Sequence, residues 1–268
     1  MERVIFNGWN GIRVATVMVY LFMFIPVVVV ILLSFNSSQF GSFPMEGLSL
    51  RWFAELANND AIVRAFRTSL ILGSLTAAIS TTLGILASLA IVRYGFPGKE
   101  LINTALVAPI LVPEVVLGVA LLLFLRWLAM PKSFLLLLLG HVIITLPFVV
   151  LVVQARLVGI RRDYEEAAMS LGANRFQTFM QVTLPLLMPA IFAGMLFAFT
   201  ISFDDITATL FWKPAGTETV PTQIFAMLRH SISPEINALG TVTVLITVAL
   251  PLVAGGLARR FAKGGGVT

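Results

Sequence analysis

Three acidic residues stand inside long apolar stretches of this chain, where a charged group is costly. Glu114 lies within the run APILVPEVVLG, and Asp204 and Asp205 lie within FTISFDDITATLF. An ionised carboxyl at the middle of a membrane helix costs about 2.5–3.5 kcal/mol, so such residues usually face a bundle interior or an aqueous path. Two chemistries fit: spaced carboxylates bind a cation that carries several ammonium groups, and opposed carboxylates catalyse aspartyl hydrolysis.

The hydrolytic chemistry is disfavoured by the spacing of these acids. Adjacent residues of one helix point about 100° apart, so Asp204 and Asp205 would diverge and at most one would face a central path. Glu114 would have to be the catalytic partner, and its predicted depth in the membrane differs from theirs. The sequence has no Gly-x-Ser-x-Gly or His-Glu-x-x-His motif that would offer another hydrolytic route. We therefore expect no catalytic residue in this chain.

Cation binding predicts a path with acids spaced along an apolar or aromatic wall. Glu114 stands about eleven residues into the third apolar span, roughly 17 Å deep and near mid-bilayer. Asp204 and Asp205 fall near the outer end of the fifth span, and Phe203 and Phe211 are the expected wall. A cation with ammonium groups separated by methylene chains would suit this arrangement.

Each acid also has a structural interpretation. Asp205 is the predicted path residue of the pair because it follows Ala198 and Ile201 at intervals of three and four residues, on one helical face. Asp204 would then bond a neighbouring helix or lie at the membrane interface. Glu114, directly after Pro113, would alternatively hold backbone amides that a kink frees.

The few potential metal ligands of the chain do not predict a metal site. There are only two histidines, His141 and His230, and there is no cysteine. A histidine-based centre needs several such ligands, so we expect no bound metal. His141, at the start of the fourth span, is expected to make a structural hydrogen bond.

The composition predicts an all-α, polytopic membrane protein. Hydrophobic residues make up 58% and charged residues 12% of the 268 residues, far from the balance of a soluble domain. Six segments approach the roughly twenty apolar residues that span a bilayer, and we expect them to form a single transmembrane domain over residues 1–268. Pro109 and Pro113 predict a kink in the third span. The predicted spans are 13–34, 67–92, 103–126, 134–153, 186–210 and 239–258.

The net charge of +5 reflects membrane orientation rather than nucleic-acid binding, since no run of Lys and Arg exceeds two residues. If the amino terminus is inside, the inner segments hold eleven Lys and Arg residues and the outer segments seven. Positive residues favour the cytoplasmic side, so both termini are expected in the cytoplasm. Two long outer segments, 35–66 and 211–238, are expected to carry short interfacial helices, with Trp52, Trp212 and Phe225 at the headgroup boundary.

A polar stretch, DYEEAAMSLGANRFQTFMQVTLP at 163–185, lies in the loop predicted between the fourth and fifth spans. Tyr164, Ala167, Ala168 and Leu171 fall at i, i+3, i+4 and i+7, on one face of a helix. Asp163 is the expected N-cap and Glu166 the capping-box acid three residues on. Gly172 is placed to end this helix with a positive φ angle.

A second short helix is predicted from Asn174, with Phe176, Phe179, Met180 and Thr183 on one face. Leu184 and Pro185 would then turn the chain back to the membrane. Two interpretations of the pair of helices remain open. The small-residue face would let another protein approach the backbone closely, or the loop would pack on its own bundle with Glu166 serving only as a cap.

The residues of this loop resemble a motif of bacterial ABC importer permeases that depend on a substrate-binding protein. The pattern is Glu166-Ala167-Ala168, then Gly172, Val182 and the pair Leu184-Pro185. The resemblance implies a type I permease fold whose coupling helices, at about 161–185, dock on a partner ATPase. It also implies a homologous second permease in a heterodimer, two ATP-binding subunits, an external binding protein and a bacterial inner membrane.

Further runs resemble the second permease of spermidine/putrescine importers, which implies a polyamine substrate. These runs are FNSSQFG at 35–41, RYGFPGK at 93–99, HVIITLPFVVLVVQARL at 141–157, SFDD at 202–205 and SPEINAL at 233–239. Neighbouring subfamilies share parts of these signatures, so a permease for another small organic solute is the alternative. An ATP-independent carrier is disfavoured by the coupling loop and by the absence of an inverted repeat.

The chain carries no phosphate-binding loop of the form Gly-x-x-x-x-Gly-Lys-Ser/Thr. The run from Gly95 to Lys99 has the wrong spacing and no hydroxyl residue after the lysine. ATP and Mg²⁺ are therefore expected on separate ATPase subunits. We expect this chain to bind no cofactor and to act as a conduit and gate.

Overall fold

The computed structural model describes residues 2–39, 44–230 and 234–264, and within these ranges the regular structure is helical. Phe40 and Gly41 of the FNSSQFG run and Ser233 of the SPEINAL run lie outside the described residues. The helices are α1 (Glu2–Leu33), α2 (Arg51–Asn58), α3 (Asp60–Arg93), α4 (Lys99–Val107), α5 (Glu114–Trp127), α6 (Phe134–Val158), α7 (Arg162–Ser170), α8 (Arg175–Thr178), α9 (Leu184–Asp204), α10 (Thr207–Trp212), α11 (Val220–His230) and α12 (Pro234–Gly264).

Five helical stretches in the described chain are long and apolar enough to cross a membrane. The number of candidate spans is six if one bent pair of helices, Lys99–Leu111 and Glu114–Trp127, counts as a single span. The five are Gly11–Leu33, Asp60–Arg93, Phe134–Val158, Arg175–Asp204 and Pro234–Leu252. The predicted all-α polytopic fold is confirmed. Whether residues 1–268 act as a single domain stays a prediction.

The kink predicted at Pro109 and Pro113 in the third span, 103–126, is confirmed, and it is a full break of the helix. A short 3₁₀ turn, Ala108–Leu111, follows α4, and the axis bends by 111° before α5 begins. Pro113 accounts for the break, since a residue that precedes proline is pushed out of the helical region and Val112 is extended at φ −94° and ψ 127°. Glu114 therefore opens a helix at this break, and the depth of 17 Å predicted from an unbroken span does not apply.

The fifth predicted span, 186–210, is displaced. Its helix runs unbroken from Arg175 through a π-helical turn, Phe179–Thr183, to Asp204. Pro185 does not turn the chain. It lies in the first turn of α9, where a missing backbone N–H is tolerated, and the preceding π turn lets Leu184 N–H bond the Phe179 carbonyl five residues back.

The chain divides into two compact units, of which one comprises residues up to Val63 together with Ile224–Ile246. In this unit Trp52 of α2 is buried, and its indole Nε1 donates to the Asn36 carbonyl at 2.7 Å. Its polar atom has its partner within the protein, and the placement of Trp52 at the headgroup boundary stays a prediction. Phe225 of α11 is half-buried, with the Arg229 guanidinium 4.3 Å from its ring centre. The short helices predicted in the two long segments are present as α2 and α11.

The second unit, Arg64–Gln223 with the chain from Thr247, is organised around α6. Close approach of its helices depends on glycine. A Cβ atom at Gly84 of α3 or at Gly194 of α9 would lie 2.6 or 3.2 Å from the Val149 side chain of α6. A core of buried apolar residues lies between α3, α6 and α10: Leu72, Leu137, Leu138, Val142, Ile144, Ala208 and Trp212.

Candidate functional site

The first candidate site is the segment of α7 and α8 within 161–185. Helix α7 begins two residues earlier than predicted, with Arg161 rather than Asp163 at the N-cap position and no side-chain cap. Asp163 lies in the first turn and pairs with Arg161, so it is not the N-cap. Glu166 is exposed and takes no part in capping. The predicted capping box at this helix is therefore wrong.

The end of α7 and the start of α8 follow the prediction. Gly172 has φ +96°, its N–H bonds the Met169 carbonyl at 3.0 Å, and the Ala173 N–H bonds the Ala168 carbonyl at 3.1 Å. These two bonds are the Schellman pattern, which favours glycine. Asn174 then caps α8 reciprocally with Gln177, both bonds measuring 2.9 Å. Because both helix ends are fixed, the angle between α7 and α8 is set locally.

The face of α7 and α8 that carries the small residues points away from the bundle. Leu171 is 90% and Phe176 67% exposed, and Tyr164 is also largely exposed. Ala167 beside them is exposed and Ala168 is half-buried. A loop that packed on its own bundle would bury these apolar side chains. The geometry therefore favours a surface that another protein covers.

The opposite side of α7 is anchored by Glu165, which the sequence analysis did not single out. Its carboxylate accepts from Arg93 Nε of α3 at 3.0 Å and from Thr183 Oγ1 at 2.9 Å. Arg93 also donates to the Ile160 carbonyl at 3.1 Å. Adjacent acids on a helix point about 100° apart, which indicates that Glu165 and Glu166 differ in role. No local pattern, however, identifies Arg93 as the partner.

The second candidate site contains the membrane acids, and here the geometry departs from the prediction. Helix α9 ends at Asp204, and Asp205 is extended with ψ 125° before α10 begins at Thr207. The two acids thus do not share one helix, and Asp205 does not continue the face of Ala198 and Ile201. Asp204 is exposed, whereas Asp205 is buried.

Asp205 caps the start of α10. Its carboxylate accepts from the backbone N–H of Ala208 at 3.3 Å and of Thr209 at 2.8 Å, and from Thr209 Oγ1 at 2.7 Å. A run SFDDIT without proline or glycine gave no sign of a helix break. Only the residue type of Asp205 could have indicated a new helix start, since Asp side chains bond nearby backbone N–H groups.

His141 makes the structural hydrogen bonds that were predicted for it. The ring is fully buried, with Nδ1 2.8 Å from Ser202 Oγ and Nε2 3.0 Å from Thr209 Oγ1. Thr209 has one hydroxyl proton and the Asp205 carboxylate can only accept, so Thr209 accepts from Nε2–H. The ring is therefore assigned as the Nε2–H tautomer, with Nδ1 accepting from Ser202. This network joins α6, α9 and α10.

Two aromatic residues of α10 also pack it against α5 and α6. Trp212 is buried and donates from Nε1 to the Gly118 carbonyl of α5 at 2.9 Å, and its placement at the headgroup boundary stays a prediction. A Cβ atom at Gly140 would overlap its ring. Phe211 packs half-buried against Gly118, and Phe203 is fully buried against Phe199 at a ring separation of 5.5 Å. Phe203 is therefore enclosed within the protein, and Phe211 is partly covered by α5.

The predicted acids all stand at helix ends. Glu114 is the first residue of α5, Asp204 is the last of α9, and Asp205 precedes α10. A helix amino terminus stabilises an acid, so Glu114 is held favourably there. The partial negative charge of the α9 carboxyl end adds to that of Asp204, which makes the exposed end of α9 attractive to cations. Among the described residues no cluster of metal ligands is present.

The comparisons with known proteins agree along most of the chain. Residues 80–264 match the family model described as binding-protein-dependent transport system inner membrane component. The chain is 35% identical over 246 residues to the spermidine/putrescine transport system permease protein PotC of Escherichia coli (strain K12), covering 92% of this chain and 93% of that protein. It is 36% identical over 229 residues to the putrescine transport system permease protein PotI of the same organism, covering 83% and 81%.

A solved structure has the same fold. It is a bacterial alginate ABC transporter in complex with an alginate pentasaccharide-bound periplasmic protein. The match has a TM-score of 0.76 at 16% identity and covers 98% of both chains. At this identity the likeness concerns the fold alone.

Proposed function

Because the chain belongs to the family of inner membrane components of binding-protein-dependent transport systems, we propose that it forms the translocation path for polyamines in an ATP-driven importer. The observation that carries the substrate class is the 35% identity with PotC over 92% of the chain. It is a multi-pass transport subunit rather than an enzyme. ATP and Mg²⁺ belong to partner ATPase subunits in this proposal, since the sequence has no phosphate-binding loop.

The coupling surface is the exposed side of α7 and α8. Glu166, Ala167 and Ala168 lie on α7, and Gly172 fixes the turn that follows it. Small residues let the ATPase approach the backbone closely, while the exposed Leu171 supplies apolar area. Leu184 and Pro185 are the first two residues of α9, which continues the helix of α8, and would carry motion of the loop directly into that span.

The acid proposed for the substrate path is Asp204 rather than Asp205. Asp204 is exposed at the carboxyl end of α9, where the helix dipole also attracts a cation. The Asp205 carboxylate is occupied by Thr209 and Ala208 and braces α10. Glu114, at the break before α5, is exposed and is proposed as a second, weaker point of contact. Phe203 supports Asp204 from the buried side, and Phe211 holds α10 against α5.

The proposed assembly contains a homologous second permease, two ATP-binding subunits and an external binding protein. The exposed apolar length of α1 suits contact with lipid or with the second permease. The charge distribution supports both termini in the cytoplasm of a bacterial inner membrane. The α7–α8 surface then faces the cytoplasm, where an ATPase is available.

The test is to reconstitute this chain with its co-expressed partner subunits and binding protein, and to measure ATP hydrolysis and uptake. Binding protein loaded with spermidine or putrescine should stimulate both. If another small organic solute stimulated turnover and polyamines did not, the transport role would stand and the polyamine assignment would fail. If no ATPase co-purified with the chain, the proposal of an ATP-driven importer would itself be wrong.

A further inference from the structure

A cavity of about 360 Å³ lies where α5 ends and α6 begins. Its wall is apolar, formed by Leu122, Leu125, Leu136 and Trp212, and two cations, Arg126 and Lys132, stand at its edge. The cavity is therefore amphipathic: it offers a lipophilic interior beside a doubly positive rim.

The two cations have no acid near them in the chain. No Asp or Glu occurs between Glu114 and Asp163, and none lines the cavity. Within the described residues, neither Arg126 nor Lys132 forms an ion pair with an acid. Both side chains are exposed. An anion from outside the chain is the available partner for this pair of charges.

The cavity lies at the membrane face opposite α7. Helix α6 leads from the cavity to the α7 segment over 25 residues, about 37 Å at 1.5 Å per residue. With α7 in the cytoplasm this is the outer face, where short connecting segments carry few Lys and Arg. This step rests on the proposed function: uncompensated positive charge at the outer face of a polyamine importer would repel its substrate.

The surface around the cavity indicates where the anion comes from. Leu123 and Phe124 of α5 are more than half exposed, and Trp127, 6.2 Å from Phe124 between ring centres, is 79% exposed. Exposed aliphatic residues next to an aromatic pair are typical of a hydrocarbon surface that meets the headgroup layer. The occupant should therefore be a membrane component with an acyl chain and a negative headgroup.

We propose that this cavity binds an anionic phospholipid of the outer leaflet. The headgroup phosphate lies between Arg126 and Lys132, and one acyl chain follows the leucines of α5. Trp212 forms part of the wall and is bonded to Gly118, so the bound lipid contacts the element that positions α10. The site thereby neutralises the rim and supports the outer end of α5, α6 and α10 together.

The test measures lipid binding directly, apart from transport. The complete complex is reconstituted in nanodiscs with either phosphatidylglycerol or phosphatidylcholine, and retained lipid is counted by native mass spectrometry. Phosphatidylglycerol should be retained selectively. Arg126→Gln and Lys132→Gln should each weaken its retention about fivefold, the usual contribution of one cation at an anionic surface.

The control is Arg67→Gln, which removes an exposed cation from the first turns of α3, outside the cavity. It should leave lipid retention unchanged. Equal retention of both lipids, or equal retention by the cavity variants and the control, would overturn the proposal. A different outcome would be that the cavity variants leave lipid retention unchanged but weaken the affinity for the binding protein equally in both lipids. Arg126 and Lys132 would then contact a protein partner, and the lipid site would be excluded. Failure of polyamine uptake would not affect these readouts.

Discussion

Arg93 and Glu165, 72 residues apart in the sequence, form an ion pair of 3.0 Å that ties the end of α3 to α7. The two side chains are only 11% and 16% exposed, and Thr183 in the π turn before α9 donates to the same carboxylate. One carboxyl group of α7 therefore contacts both α3 and the helix that continues into α9. Glu166, one residue later, is exposed and is not the partner of Arg93 in this ion pair.

The first prediction separates these neighbouring acids. Glu165→Gln should lower the free energy of unfolding by about 1–3 kcal/mol, because Arg93 loses its charged partner in a largely buried place. Glu166→Gln removes an exposed acid and should leave stability unchanged while weakening ATPase binding. Thermal unfolding of the purified chain and co-purification of the ATPase measure the two effects.

A charge exchange is the control for this pair. Arg93→Glu combined with Glu165→Arg should recover part of the stability and coupling that either single change loses. Glu165→Gln with unaltered stability would show that the joint contributes nothing. Glu166→Gln with full ATPase binding would remove that residue from the coupling surface.

The second prediction concerns the turn after α7. Gly172 has φ +96° and open space around its Cβ position, so a side chain there adds backbone strain and no clash. Gly172→Val should cost about 1–2 kcal/mol and change the angle between α7 and α8, lowering ATP-coupled uptake while the chain still enters the membrane. Gly95→Ala is the matched control, since it also has open space but no positive φ. The measurement is the amount of substrate taken up per ATP hydrolysed. A normal ratio in Gly172→Val would refute the prediction that this turn is needed for coupling.

The third prediction concerns the buried polar network. Thr209→Val removes the hydroxyl that links His141 to Asp205 and leaves the buried His141 Nε2 without its hydrogen-bond partner, which should cost about 1–3 kcal/mol. Thr209→Ser keeps the hydroxyl and should retain most of the stability. Thr209→Val is nearly isosteric, whereas Thr209→Ser loses one buried methyl group, so a higher unfolding temperature of the serine variant can come only from the retained hydroxyl. Equal unfolding temperatures would indicate that the network does not hold α10.

The sequence predictions are correct where the interacting residues are close together in the sequence, and they fail where the partners are far apart. Gly172 and Asn174 were predicted correctly because turn and capping chemistry depends on residues within one helical turn. Apolar length likewise located the long helices. The partner of Glu165 could not be predicted, since Arg93 is distant in sequence. Asp205 was misplaced because the pattern of apolar residues continues through a break that its own hydrogen bonds create.

The last prediction distinguishes the two aspartates at that break. Asp205→Ala should destabilise the chain by about 1–2 kcal/mol, the usual effect of losing a cap, and Asp205→Asn by less because an amide oxygen still accepts. Asp204→Asn should leave stability unchanged, since the side chain is exposed. It removes the charge that complements a polyamine, so uptake should fall severalfold while the ATPase remains bound.

The measurement is uptake of labelled spermidine into vesicles, alongside thermal unfolding of each variant. Glu114→Gln serves as a second comparison, because Glu114 opens α5 and its charge is already favoured by that helix. Uptake should then fall less than in Asp204→Asn. If Asp204→Asn transported normally and Asp205→Asn lost uptake at unchanged stability, the path would run past Asp205 and the capping role would not account for its charge. Normal uptake by both would leave the acids as structural residues, because a charge that binds the substrate cannot be removed without effect.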